Sequence, residues 1–365
     1  MTTTRTRALT ALALTSVLAL AGCGSDENTD AASTSAAATS VDDCPTGTLK
    51  AEGSSAQKNA IESVISGFQT NCPDVTVNYN PSGSGAGIKN FNAGQVDFAG
   101  SDSALKPEEA TAAEATCGAP AWNLPMVTGP IAVAYNLAGV DTLVLNADVT
   151  AKIFSGQITT WNDPAIAALN PDATLPAEDI KVYFRSDESG TTENFTKYLK
   201  AAAADAWTFD PAKKWAAPAG EGKEKSSGVA SAVQGQEGGI TYVEWSYATQ
   251  NSLGVAQIDN GSGPVELTGE SVGKMVATAE QVGEGNDLAL QLDYATSEEG
   301  AYPITLVTYE IVCSQYSDSA KAAAVSSFLS YFASDEVQAG LEDEGYAPLP
   351  SEVASKVETA IAAIG

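Results

Sequence analysis

The sequence predicts an α/β protein with largely parallel sheets, and three observations point there. Short apolar runs alternate with amphipathic stretches along most of the chain. Four of those runs end in a polar turn of Gly, Ser, Thr or Asp. With 365 residues and 44% apolar side chains, the chain can build two domains with real cores.

The first segment reads as a targeting signal. Arg5 and Arg7 precede an apolar stretch from Ala8 to Leu20, too short to span a membrane as a mature helix. It closes on Leu20-Ala21-Gly22-Cys23, which resembles the lipobox of bacterial lipoproteins, where the cysteine becomes the lipidated first residue. An ordinary signal with a chance cysteine is the alternative. Residues 1–22 are then a signal peptide, and 23–43, rich in Ser, Thr, Ala and Asp, a flexible tether.

Four cysteines follow: Cys44, Cys72, Cys117 and Cys313. An even number in an exported chain implies two disulfides, and without a C-x-x-C the spacing does not suit a metal. Three pairings are open. Cys44 and Cys72 each precede a predicted strand (Thr48–Ala51 and Val75–Asn80). Neighbouring parallel strands begin side by side, which favours Cys44–Cys72 and leaves Cys117–Cys313 by elimination.

"GTLKAEGSS" is a strand leading into a helix with Ala60, Ile61, Val64, Ile65 and Phe68 on one face. "VTVNYNPSGSGAG" leads into a short helix carrying Ile88 and Phe91. "VDFAGSDSAL", "IKVYFRSDESGTT" and "GGITYVEW" supply further strands, and "KAAAVSSFLSYFAS" and "EVASKVETAIAAIG" read as helices. Two apolar runs, 123–137 and 302–312, are long for single strands. Each crosses between two domains, or both are core strands of one large sheet. The crossover reading is preferred, with residues 44 to about 128 and about 308 to 365 in one domain and 129–307 in the other.

Composition removes several function classes. A formal charge of −28 leaves no basic stripe for a nucleic acid backbone. The absence of histidine rules out Ser-His-Asp and Cys-His sites and takes away the commonest metal ligand.

The four polar turns point elsewhere. They are Gly53-Ser54-Ser55, Ser82-Gly83-Ser84-Gly85, Gly100-Ser101-Asp102-Ser103 and Arg185-Ser186-Asp187-Glu188-Ser189-Gly190-Thr191. A helix start offers unpaired N–H groups and a partial positive charge, and glycine lets a ligand approach the backbone. In α/β sheets the ligand crevice lies beyond the carboxyl ends of the strands, so several such turns can converge on one small anion. One Ser/Gly turn alone is most often only a helix cap. Four of them, one with an arginine fork that Asp187 is placed to hold, point to an oxyanion-binding protein.

"NCPDVTVNYNPSGSGAGIKNFNAGQVDFAGSD", "IFSGQITTWNDPAIAALNP", "VYFRSDESGTTENFTKYL", "GGITYVEWSYA" and "YPITLVTYEIV" occur in an order that resembles the phosphate-binding proteins of Pst-type ABC transporters, relatives of the periplasmic binding proteins. The similarity runs from residue 48 to the C-terminus. It implies a type II periplasmic-binding-protein fold: two mixed, mostly parallel sheets with flanking helices and two crossover strands. It implies phosphate donors at Ser55, Ala56, Ser84, Ser189, Gly190 and Thr191, a clamp at Arg185 held by Asp187, and a carboxylate at Asp102 that can only accept. Two features depart from the family pattern: Glu188, where glycine is common, and "SGSGAG" around Ser84.

The implied function is that of a monomeric, lipid-anchored, extracytoplasmic binding protein without metal or cofactor. It captures inorganic phosphate between two domains and delivers it to the permease subunits of an ABC importer. Two alternatives remain. One is another tetrahedral oxyanion. The other is a penicillin-recognising acyl enzyme using Ser55-x-x-Lys58, although the chain has neither S-D-N nor K-T-G.

Overall fold

Strand, polar turn and helix alternate as the pattern requires in a computed structural model that describes residues 44–365. The predicted signal and tether, with Cys23, lie outside the described residues. The chain begins β1 (Gly47–Gly53), α1 (Lys58–Asn71), β2 (Val75–Asn80), α2 (Ser84–Asn92), β3 (Phe98–Ser101), α3 (Pro107–Cys117) and the long β4 (Ala121–Asn136). It continues through β5 (Val144–Asn146), α4 (Ala147–Phe154), α5 (Pro164–Leu169), β6 (Lys181–Arg185), α6 (Gly190–Ala202), β7 (Glu221–Lys223), α7 (Lys225–Gln234), β8 (Gly239–Glu244) and α8 (Trp245–Gln250). Small ribbons follow: β9 (Gly254–Val255), β10 (Gln257–Asp259), β11 (Pro264–Val265), β12 (Glu280–Gln281) and β13 (Leu290–Gln291), with α9 (Gly269–Ala277) among them. The second long strand, β14 (Thr305–Cys313), then leads to α10 (Ser319–Ala333), α11 (Asp335–Gly340) and α12 (Ser351–Ile361).

The main sheet runs β2-β1-β3-β14-β4-β8-β6-β7. Its outer pairs, β1 with β2 and β3, and β6 with β7 and β8, are parallel, while β14 and β4 run antiparallel to their neighbours. β4 changes partner along its length. Ala121–Pro130 pairs with β14, and Ile131–Asn136 pairs with β8. Proline cannot donate to a ladder. Pro130 stands at the change of partner, and Pro125 lies beside the register shift at Thr308/Tyr309. Pro303 likewise explains why the second long strand starts at Thr305 rather than Tyr302.

Buried apolar residues form two large clusters. One packs α1, α10 and α12 on β1, β2 and the start of β4; the other packs α4, α6 and α7 on β8 and the end of β4. Helix faces follow the predicted spacing: α1 buries Ala60, Ile61, Val64 and Phe68. Below, "first lobe" and "second lobe" mean the surroundings of these two cores. Cys44–Cys72 and Cys117–Cys313 are bonded, with Cα separations of 5.3 and 5.5 Å. The pairing of Gly47 with Val75 sets the first residues of β1 and β2 side by side, as the cysteine placement anticipated. Among the described residues, no helix is long and apolar enough to cross a membrane.

Candidate functional site

The ends of β1, β3, β6 and β8 and the starts of α2, α6 and α7 meet where the two lobes face each other. Arg185 closes β6 and is only 2% exposed. Its Nε and Nη2 donate to the two oxygens of Asp187, at 2.8 and 2.5 Å, and its Nη1 turns toward Ser226 Oγ (3.0 Å) and Thr191 Oγ1 (3.4 Å). Burial alone would lower the arginine's pKa, but the hydrogen bonds and charge of Asp187 outweigh it and raise it. Burial likewise works against the Asp187 carboxylate, and Arg185 pulls its pKa below the ordinary value. The Lys225 N–H adds a third bond to Asp187 at 2.9 Å. Lys225 has φ 64, a left-handed conformation costly for a side chain of its kind, and it turns α7 so that Ser226 follows into the cleft.

α6 begins at the same place. Ser189 caps it, accepting from the Thr192 N–H at 3.2 Å. The Gly190 N–H reaches across to Ser84 Oγ of the first lobe at 3.3 Å. A Cβ on Gly190 would lie 2.5 Å from Asp102 Cβ and 2.7 Å from Ser84 Oγ, so only glycine lets the lobes approach this closely. Asn194, one turn on, donates to the Asp102 carbonyl at 2.6 Å.

Asp102 follows β3 and is 3% exposed. Ser54 (2.5 Å) and Thr308 (2.8 Å) donate to its Oδ1, and Ser84 (2.9 Å) to its Oδ2. Burial pushes its pKa up to about 6; the Ser54 bond resists, and the charge of Glu244 adds to the rise. Ser55 sits within 3.1 Å of Ser226 Oγ and accepts from the Ser226 N–H at 3.3 Å. The Ala56 N–H donates to Ser54 Oγ at 3.0 Å. Behind this wall, Glu310 accepts from Gln57 at 2.7 Å, and burial pushes its pKa up to about 8.

The residues that the family resemblance implied lie around one locus: Ser55, Ala56, Ser84, Asp102, Arg185, Asp187, Ser189, Gly190 and Thr191. Two details differ from the simplest picture. In these contacts the hydroxyls of Ser84 and Thr191 donate to Asp102 and Glu244, and the Ala56 N–H is engaged within its own turn. Glu188 lies against the first turn of α2 and pairs with Lys89 of that helix and with Lys214 at 3.1 Å, and these contacts lower its pKa. Lys58 pairs with Glu62 on the exposed side of α1 at 2.8 Å, so the hydroxyl partner of Ser55 is a serine and not this lysine. Sequence reasoning missed Ser226, Glu244 and Thr308, and it named Ser54 only as part of its turn, with no role. "EKSSG" before α7 is a further Ser/Gly turn after a short strand and could have flagged Ser226. Glu244 occupies a strand end, as Arg185 does.

The chain matches the family model described as a PBP superfamily domain over residues 31–336. It is 49% identical to the phosphate-binding protein PstS 3 of Mycobacterium tuberculosis over 353 residues, 95% of each chain. It is 42% identical to PstS 2 of the same organism over 366 residues, 99% of each. Among solved structures it resembles a phosphate-binding protein from Stenotrophomonas maltophilia, with a TM-score of 0.65 and 20% identity over 86% of this chain and 94% of that one. A periplasmic phosphate-binding protein solved with phosphate gives a TM-score of 0.68 at 22% identity, covering 86% and 93%.

Proposed function

We propose, from the premise that the chain belongs to the PBP superfamily and within it to the phosphate-binding proteins of Pst-type transporters, that it captures inorganic phosphate between its lobes for an ABC importer. Members of this family are solute-binding transport proteins. The observation that carries the reading is the junction of Arg185, the first turn of α6 and Asp102. A fixed cation and an oriented helix start favour an anion, and a buried acceptor selects one that still carries a proton.

The division of labour follows from the cleft. Ser55, Ala56, Ser84 and Asp102 act from residues 44–128 and 308–365, and Arg185, Ser189, Gly190 and Thr191 act from residues 129–307. Small rotations of the hydroxyls of Ser55, Ser84 and Thr191 turn the bonds they make to neighbouring side chains into bonds with the ligand. A ligand bound by both lobes stabilises their closed arrangement, which a permease can recognise. Cys23 carries a lipid that holds the monomer at the outer face of the cell membrane. Acyl transfer has no support in the contacts of Ser55 and Lys58.

Calorimetric titration of the mature protein with phosphate, arsenate and sulfate tests the assignment. Phosphate and arsenate bind, and sulfate in excess does not displace them. Absence of phosphate binding refutes the reading.

A further inference from the structure

Glu244 ends β8 and is fully buried, at 0% exposure. Its Oε1 accepts the Thr191 hydroxyl at 2.5 Å, while its Oε2, also buried, has no hydrogen-bond partner. A buried carboxyl oxygen left unpaired is costly, and in a binding cleft it marks a place for a donor. The groups facing it are known. Thr191 and Arg185 approach from the second lobe, and Tyr247 from α8. Asp102 and Tyr346 approach from the first lobe. None of these fills Oε2. The Arg185 fork is held by Asp187, the Tyr247 hydroxyl donates to the Ser55 carbonyl at 3.0 Å, and the Tyr346 hydroxyl to the Ala56 carbonyl at 2.8 Å.

The charge balance has the same implication. Arg185 is matched one for one by Asp187. Asp102 and Glu244 then add acceptors, and among the described residues no further Lys or Arg bonds to either carboxylate. This surplus of acceptors is tolerable if the anion has low charge and brings its own protons.

Building on the phosphate reading above, we propose that Glu244 is a second proton-reading carboxylate and that the site selects the dihydrogen phosphate monoanion. One phosphate hydroxyl donates to Asp102 and the other to Glu244 Oε2. The two remaining oxygens face Arg185 Nη1 and the start of α6.

The test is calorimetry with inorganic phosphate between about pH 7 and about pH 9, above the titration of Asp102. Selection of the monoanion makes affinity fall about tenfold per pH unit once free phosphate loses its second proton, because one proton is linked to binding. In Glu244→Gln the amide can donate to an unprotonated oxygen, and the slope flattens. The buried Glu310, whose pKa is pushed up to about 8, is common to parent and variant, so the difference in slope is the readout. A flat wild-type profile overturns the proposal, and so does a variant that keeps the wild-type slope. A second measurement needs no variant. Inorganic phosphite carries a P–H bond in place of one hydroxyl, and wild-type protein should bind it about 10- to 100-fold more weakly than phosphate at neutral pH. Equal affinities overturn the second carboxylate while leaving the phosphate assignment intact. Failure to bind phosphate at any pH removes the assignment itself.

Discussion

Arg185 and Asp187 are joined by two parallel hydrogen bonds, Nε to Oδ1 and Nη2 to Oδ2, at 2.8 and 2.5 Å. The pair fixes one edge of the guanidinium, so Nη1 points into the cleft without searching. Arg185→Lys keeps the charge and loses the fork. Phosphate affinity should fall at least about tenfold, since charge-assisted bonds contribute roughly 1.5–3 kcal/mol each. Calorimetry alongside far-UV circular dichroism checks this. Parental affinity in a folded variant removes Arg185 from the site.

On the proposed reading, selectivity rests on Asp102. Phosphate near neutral pH keeps a proton, and sulfate does not. The buried carboxylate accepts from the first and meets the second lone pair to lone pair. A missing buried match can discriminate by roughly 10⁴–10⁵. Asp102→Asn should narrow the gap, because an amide can turn its N–H toward sulfate. Competition titrations of parent and variant measure it, and sulfate binding comparable to phosphate in the parent would contradict the role.

Stability should decline from mildly acidic to mildly basic pH. Glu310 and Asp102 are raised from ordinary values of 4.5 and 3.8 to about 8 and about 6. A raised carboxyl binds its proton more tightly when folded. Its contribution is complete below the unfolded value and is lost as pH rises through the folded one. Asp187, whose pKa is lowered, acts in the opposite sense and only at more acidic pH. Scanning calorimetry should therefore give a lower Tm at about pH 8 than at about pH 5, and Glu310→Gln should flatten the decline. A parental Tm that climbs across this window would show that burial does not govern these carboxyls.

Neither bridge should leave a thiol. Alkylation of the unreduced protein followed by mass spectrometry should find Cys44, Cys72, Cys117 and Cys313 unmodified, consistent with the bonded pairs. Reduction should cost about 2–5 kcal/mol of stability. Labelling of any of the four would break the two-bridge arrangement.

Glu188 should matter little to the ligand. Its carboxylate is paired with both Lys89 and Lys214. Glu188→Gly should change phosphate affinity less than about threefold, since exposed ion pairs contribute little. A tenfold gain would mean that its charge reaches the anion.

The polar turns could be read because each is local: a strand, a glycine or serine, and a helix start lie within one short stretch of sequence. The same holds for the buried stripe of α1 and for the strands that feed the turns. What could not be read depends on encounters between distant segments. Thr308 is one threonine in an apolar run, and only the β14–β3 pairing brings it to Asp102. Glu244 looks like a strand-end acid facing solvent until α6 closes over it. Ser226 enters the cleft through a left-handed Lys225, which no residue preference would suggest. The pairing of Glu188 depends on Lys89 of α2, a residue 99 positions away.

The Cys117–Cys313 bond spans 196 positions of sequence. Everything from β4 to β14, including Arg185, α6 and Glu244, hangs from that one covalent knot as a closed circuit. A protease that nicks any surface turn between the two cysteines would open the circuit without cutting the molecule in two. Both halves would stay tethered beside the end of the ladder where the first residue of β4 pairs with the last of β14. A gel without reductant would then show an intact chain, and a gel with reductant two fragments. For a protein working outside the cell, a single cut need not release half of its binding site.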